Sequence, residues 1–125
     1  MLYNTDVLVW YFRGNSKAAH VIEKDDNRRI SIVTYMELLQ GVKNKSELKN
    51  IKKFLHDCSF GVLPVTENIG LRASIYMEEY VLSSGMCMGD ALVAAAAADS
   101  QLTLVTANAR HFKQIKDITL KIFKP

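Results

Sequence analysis

The chain reads as an α/β protein: a central parallel sheet of five strands with helices on both faces. Three observations predict it. Short apolar, largely β-branched runs alternate with longer stretches of helical periodicity from one end to the other. A β–α–β–α alternation implies parallel strands joined by crossovers. The length of 125 residues, 49% hydrophobic and 23% charged, is one domain's worth of soluble globular sequence. A chain of this size buries about two-thirds of its unfolded surface and needs no disulfide or structural metal to fold.

The elements follow in order. Met1 to Thr5 is the first strand, ending at Asp6. Val7 to Arg13 is a short helix stopped by Gly14, and Ser16 to Asp25 a second helix with Ala18, Ala19 and Ile22 on its apolar face. Ile30 to Val33 is the second strand, and a helix starts at Thr34 and runs to about Val42. Ser46 to His56 forms a helix whose Leu48, Ile51 and Leu55 make one stripe, with lysines mostly elsewhere. Val62, Leu63 and Val65 bracket Pro64, which puts the third strand at a sheet edge or ends it. Thr66 caps a helix over Glu67 to Leu82, and Gly85 stops it. Asp90 to Ser100 is the most apolar helix; its five successive alanines allow close packing on both sides and place it centrally. Leu102 to Val105, a turn at Ala109 to Phe112, and Ile118 to Ile122 complete the pattern.

Several function classes drop out. The longest apolar stretch, Ala91 to Ala98, is far short of the ~20 residues a bilayer helix needs. No secretory leader is visible. Cys58 and Cys87 stand alone, without CxxC or a histidine at ligand spacing, so they read as reduced, buried thiols of a cytoplasmic protein. There is no GxGxxG, P-loop or GxSxG. The charge balance, 16 − 13 = +3, permits a polyanionic partner without demanding one.

In open parallel sheets ligands bind beyond the carboxyl ends of strands. Those positions hold Asn4, Asp6, Glu37, Asp90, Thr106 and Asn108. Each has a bland reading. Thr34 and Glu37 have the spacing of a capping box. Asp90 is favoured at a helix start by the dipole, although it is the only charge between Glu79 and Asp99. Asp6 is a candidate N-cap, and Thr106-Ala107-Asn108 a capped turn. Asp99 lies about 13 Å along the helix from Asp90 and cannot share an ion with it. Taken together, convergent carboxylates repel unless a cation neutralises them, and oxygen ligands favour Mg²⁺ or Mn²⁺ over zinc or copper.

Four segments in order then resemble the PIN-domain family, of the VapC toxin type. They are Asn4-Thr5-Asp6-Val7-Leu8-Val9; Ser31, Thr34, Glu37, Leu38 and Gly41; Asp90-Ala91-Leu92-Val93-Ala94-Ala95; and Leu104-Val105-Thr106 with Asn108 and Phe112. The resemblance covers residues 1–125 as one PIN-like nuclease domain. It implies a Mg²⁺- or Mn²⁺-dependent endoribonuclease cutting structured RNA, often tRNA or rRNA, through a metal-activated water. It also implies a small antitoxin laid over the active site, and frequently a homodimer. By position Glu37 and Asp90 match metal-binding acids, while Asp6, Thr106 and Asn108 match residues that line or support the site.

Asn4 stands where the family has its first, near-universal Asp. Asn keeps the shape, loses the charge, and is expected to turn an NH₂ donor toward a cation. Two explanations compete. One is an Asp→Asn change introduced so that a toxic nuclease is tolerated, favoured because every other motif is intact. The other is a natural, weakened or non-catalytic member, serving as an RNA- or antitoxin-binding module. RNA docking is expected at Arg13, Lys43, Lys45, Lys49, Lys52, Lys53, Arg110 and Lys113, with a solvated helix face as the alternative for the Lys43–Lys53 group. His111 is read mainly as an exposed or capping residue, and Trp10, Tyr11 and Phe12 as core or dimer contacts. A receiver-like domain needs an Asp after the third strand, and Val62 to Thr66 offers none.

Overall fold

A computed structural model describes residues 1–125. In chain order the elements are β1 (Leu2–Tyr3), α1 (Thr5–Phe12), α2 (Ser16–Lys24), β2 (Arg29–Ser31), α3 (Ile32–Gln40), α4 (Lys45–Asp57), β3 (Gly61–Leu63), α5 (Glu67–Ser84), α6 (Met88–Ser100), β4 (Leu104–Thr106), a 3₁₀ turn over Ala109–His111, and β5 (Leu120–Ile122). All five strands are parallel, in the order β3-β2-β1-β4-β5. The expected sheet is therefore present, and β3 lies at an edge as Pro64 requires.

Alternation along the short strands separates two cores. Leu2 and Leu104 face one side, with Ala91, Val93 to Ala97, Ile69, Tyr76 and Phe112. Tyr3 and Val105 face the other, with Val7, Leu8, Ala18, Ile22, Ile51 and Leu55. Thus α5 and α6 cover one face, and α1, α2 and α4 the other. Helix α3 bridges them: Val33 belongs to the first core and Leu38 to the second. Ala91 and Ala94 to Ala97 are all at most 1% exposed, because small side chains let α6 lie close to both α5 and the sheet.

Helix starts moved furthest from expectation. Helix α1 begins at Thr5 with Asn4 as N-cap, so β1 is two residues long and Asp6 lies inside the first helical turn. Helix α3 begins at Ile32, because Ser31 Oγ accepts from Val33 N at 3.0 Å and takes the capping role. The Thr34–Glu37 capping box is therefore not formed. Thr34 is fully buried, and its hydroxyl has no partner. Helix α6 starts at Met88 with Cys87 as N-cap, which places Asp90 at its third residue. Cys87 is exposed and Cys58 half-buried, so neither thiol is the apolar filler expected of it. Asp99 is exposed near the end of α6, as its solvated reading requires. No helix is long and apolar enough to cross a membrane.

Candidate active site

The strand order reverses between β1 and β4, whose outward crossovers run to opposite sides. That switch point opens a crevice at the carboxyl ends of the two strands. A cavity of about 400 Å³ occupies it, lined by Asn4, Asp6, Glu37, Asp90 and Asn108, with Trp10 and Arg13 at its rim. Of the six site residues read from the sequence, five line this cavity. The sixth, Thr106, is fully buried beneath it.

Thr106 is the hub. Its Oγ1 accepts from Asn4 Nδ2 at 3.2 Å, donates to Asp6 Oδ2 at 2.9 Å and accepts from Asn108 N at 3.0 Å. Asp6 Oδ2 also accepts from Ala107 N at 2.9 Å and Asn108 N at 3.1 Å. One carboxylate oxygen thus ties the first turn of α1 to the turn after β4. The other, Asp6 Oδ1, is buried without a partner. Asn4 corrects one expectation. Its NH₂ is spent on Thr106, and its Oδ1 takes part in no hydrogen bond, so the atom left over is an acceptor.

Glu37 projects from α3, where its Oε1 accepts from Thr5 Oγ1 at 2.6 Å. Gly89 makes room for it: a Cβ there would lie 3.3 Å from Glu37 Oε2. Asp90 Oδ2 accepts from Cys87 Sγ at 3.1 Å and from His111 Nδ1 at 2.7 Å. A carboxylate can only accept, so Nδ1 carries the proton of that bond. Partial desolvation, then the Asp90 hydrogen bond and the Asp90 and Glu37 charges, push the Cys87 thiol above its ordinary value, which keeps it a neutral donor despite an opposing backbone contact at Asp90.

His111 and Trp10 are the residues that sequence reasoning missed. His111 is half-buried against Asp90, not a free surface histidine. Trp10 packs against the second core, as expected, and also lines the cavity, with the Arg13 guanidinium 5.5 Å from its ring centre. The spacing of two or three residues from Asn108 to Arg110 and His111 was the available signal, but a 3₁₀ turn decides which of them points inward. Arg110, Lys49, Lys52 and Lys53 are exposed and outside the cavity. Lys43 lies in a neighbouring groove between α1, α3 and α4, whose wall also holds Arg13, Phe12 and Val42.

No three His, Cys, Asp or Glu side chains close on one point as a complete metal cage. The donors present are nevertheless hard oxygens: Asn4 Oδ1, the buried, unpartnered Asp6 Oδ1, and the Glu37 and Asp90 carboxylates around one cavity. Mg²⁺ retains several waters and needs only one or two carboxylates, so this set fits Mg²⁺ or Mn²⁺ and not a closed zinc site.

The family model described as PIN domain matches residues 1–118. The chain belongs to the PIN-domain family. Ribonuclease VapC10 of Mycobacterium tuberculosis is 34% identical over 122 residues, covering 94% of this chain and 90% of that protein. Ribonuclease VapC1 of Methanocaldococcus jannaschii is 30% identical over 128 residues, covering 98% and 86%. The VapC-type resemblance read from the four motifs is thereby borne out. Among solved structures, a toxin–antitoxin complex from Klebsiella pneumoniae superposes with a TM-score of 0.80 at 25% identity, over 96% of this chain and 94% of that one. VapBC2 from Rickettsia felis, bound to a promoter DNA fragment, gives 0.82 at 20% identity over 99% and 100%, which bears on the PIN fold alone.

Proposed function

We propose that this PIN-domain chain is the endoribonuclease toxin of a toxin–antitoxin pair, cutting tRNA or rRNA with the help of Mg²⁺ or Mn²⁺. The observation that carries the reading is the convergence of Asn4, Asp6, Glu37 and Asp90 on one cavity at the sheet's switch point. Asn4, Glu37 and Asp90 would hold the ion. When bound, it would acidify a water and neutralise charge on a phosphodiester. Asp6 and Thr106 fix the turn that carries Asn108, so the cavity floor is rigid. Thr5 and His111 orient Glu37 and Asp90, leaving one oxygen of each free. Arg13, with Lys49, Lys52, Lys53 and Arg110 further out, would attract the phosphate backbone. The likeness to a chain of the Klebsiella pneumoniae toxin–antitoxin complex supports a small antitoxin as partner. The groove beside the active site, with Phe12, Val9, Leu38 and Val42 against Arg13 and Glu47, suits an amphipathic protein segment. A homodimer is also proposed.

Asn4 supports a second reading, a naturally inactive RNA- or antitoxin-binding module. An amide bound to Thr106 satisfies the cavity floor and leaves the cavity without the first of the three anionic ligands that the family resemblance implies. The test is incubation of a total tRNA and rRNA pool with this chain and with Asn4→Asp, in Mg²⁺ and in chelator. Metal-dependent cutting by Asn4→Asp supports the nuclease with position 4 disabling. No cutting by either protein favours the binding module.

A further inference from the structure

We propose that a lysine-lined trough along the β5 edge of the sheet is a second RNA contact, holding the strand that runs away from the active-site cavity. The trough has a volume of about 430 Å³ and lies between α2 and β5. Its polar wall is Ser16, Lys17, His20, Lys121 and Lys124, and it contains no carboxylate. The other main clefts each mix signs: Glu37 and Glu47 with Lys43, Asp117 with Arg72, and Asp26 with Arg29. None of Lys17, Lys121 or Lys124 makes an ion pair or a hydrogen bond through its ammonium group.

Two further features give the trough an anion's chemistry. Helix α2 starts in it: Asn15 Oδ1 caps only Ala18 N and Asn15 O accepts from Ala19 N, so the backbone N–H groups of Ser16 and Lys17 have no protein partner. One backbone hydrogen bond also links the trough to the floor of the active site. Phe123 N donates to Thr106 O at 2.8 Å, and Thr106 is the hub of the cavity floor. Lys124 follows at the carboxyl end of β5, the same end of the parallel sheet as Asn4 and Thr106. A polyanion seated at the catalytic crevice therefore meets the lysines by continuing along one edge. Val21, Val105, Ile122 and Phe123 form an apolar floor beneath the lysines. Three cations without a counter-charge over such a floor suit a polynucleotide, whose phosphates meet the ammonium groups while its sugars and bases lie on the apolar surface.

The proposal rests on the chain acting on RNA, but it needs no cleavage. Binding of fluorescent bulk tRNA is measured in chelator, at several salt concentrations, for three proteins: the chain itself, Lys121→Gln/Lys124→Gln, and a charge-matched control, Lys24→Gln/Lys116→Gln. With about 0.7 counterion released per single-strand phosphate, the trough variant should lower the salt slope by about 1.4 and weaken binding roughly tenfold at low salt. Adding Lys17→Gln should bring the slope loss to about 2. The control should keep the slope of the unmodified chain. Equal slopes for the trough variant and the unmodified chain overturn the proposal, as does an equal loss in the control. Polyglutamate competing for the trough as well as polyuridylate does would assign it to an acidic peptide and also overturn it. A chain that binds RNA through the trough but never cleaves it, even as Asn4→Asp, would sink the nuclease reading and leave this one standing.

Discussion

Replacing Thr106 by Val tests whether the cavity floor is one hydrogen-bonded unit. The substitution keeps shape and burial and removes a hydroxyl that makes three hydrogen bonds. The bond to Asp6 is charge-assisted, worth about 1.5–3 kcal/mol, but Asp6 Oδ2 keeps Ala107 N and Asn108 N, so the lower end applies. Asn4 Nδ2, nearly buried, is left without an acceptor, which costs about 1–2 kcal/mol more. The sum is about 2–4 kcal/mol. With a urea slope of about 2 kcal/mol per molar, the middle of the range for a small domain, the midpoint should fall by about 1–2 M. Far-UV circular dichroism and tryptophan fluorescence follow the transition, and Trp10 at the cavity rim reports on the same region. A midpoint shift under about 0.3 M would refute the hub, and with it the argument that Asp6 positions Asn108.

Other predictions concern neighbouring groups. Thr34→Val removes a fully buried, orphaned hydroxyl and should raise stability by about 1 kcal/mol in the same denaturation experiment. His111→Ala should weaken Mn²⁺ binding about 10–100-fold in the Asn4→Asp background, read by electron paramagnetic resonance, with His111→Asn restoring part of it through its amide donor. Unchanged binding in His111→Ala would show that Asp90 needs no support from the 3₁₀ turn. Gly89→Ala should stabilise α6 by about 0.5 kcal/mol yet reduce Mn²⁺ affinity by pressing on Glu37, so calorimetry and denaturation should move in opposite directions. For Asp25, burial alone would raise the pKa. The Asn27 N–H, the Met1 ammonium and the Tyr3 hydroxyl outweigh it and hold the carboxyl below its ordinary value of 3.8. Its stabilisation is thus complete above that value and lost as the pH falls through the lowered one. Asp25→Asn should be less stable at neutral pH and show a shallower acid-side loss of stability in pH-dependent melting.

The local order of the sequence determined the architecture. Period-two and period-3.6 patterns separate strands from helices, Pro64 marks an edge strand, and the alanines of α6 mark a helix packed on both sides. Five of the residues picked out beyond the strand ends line one cavity, because residues just past parallel strands converge wherever the strand order reverses. Helix caps and side-chain partners were another matter. The sequence pattern assigns the cap to Thr34; in the fold Ser31, extended at the end of β2, takes that role and leaves Glu37 free for the cavity. In the sequence Asn4 and Asp6 mark only the end of the first strand. They meet through Thr106, about a hundred residues away, an interaction that no local pattern encodes. His111 and the β5 lysines depend on a 3₁₀ turn and on α2 lying beside β5. Local periodicity is written along the chain, so the sequence alone determined the elements and the acids. Hydrogen-bond partners and charged surfaces join residues distant in sequence, so only tertiary packing decided them.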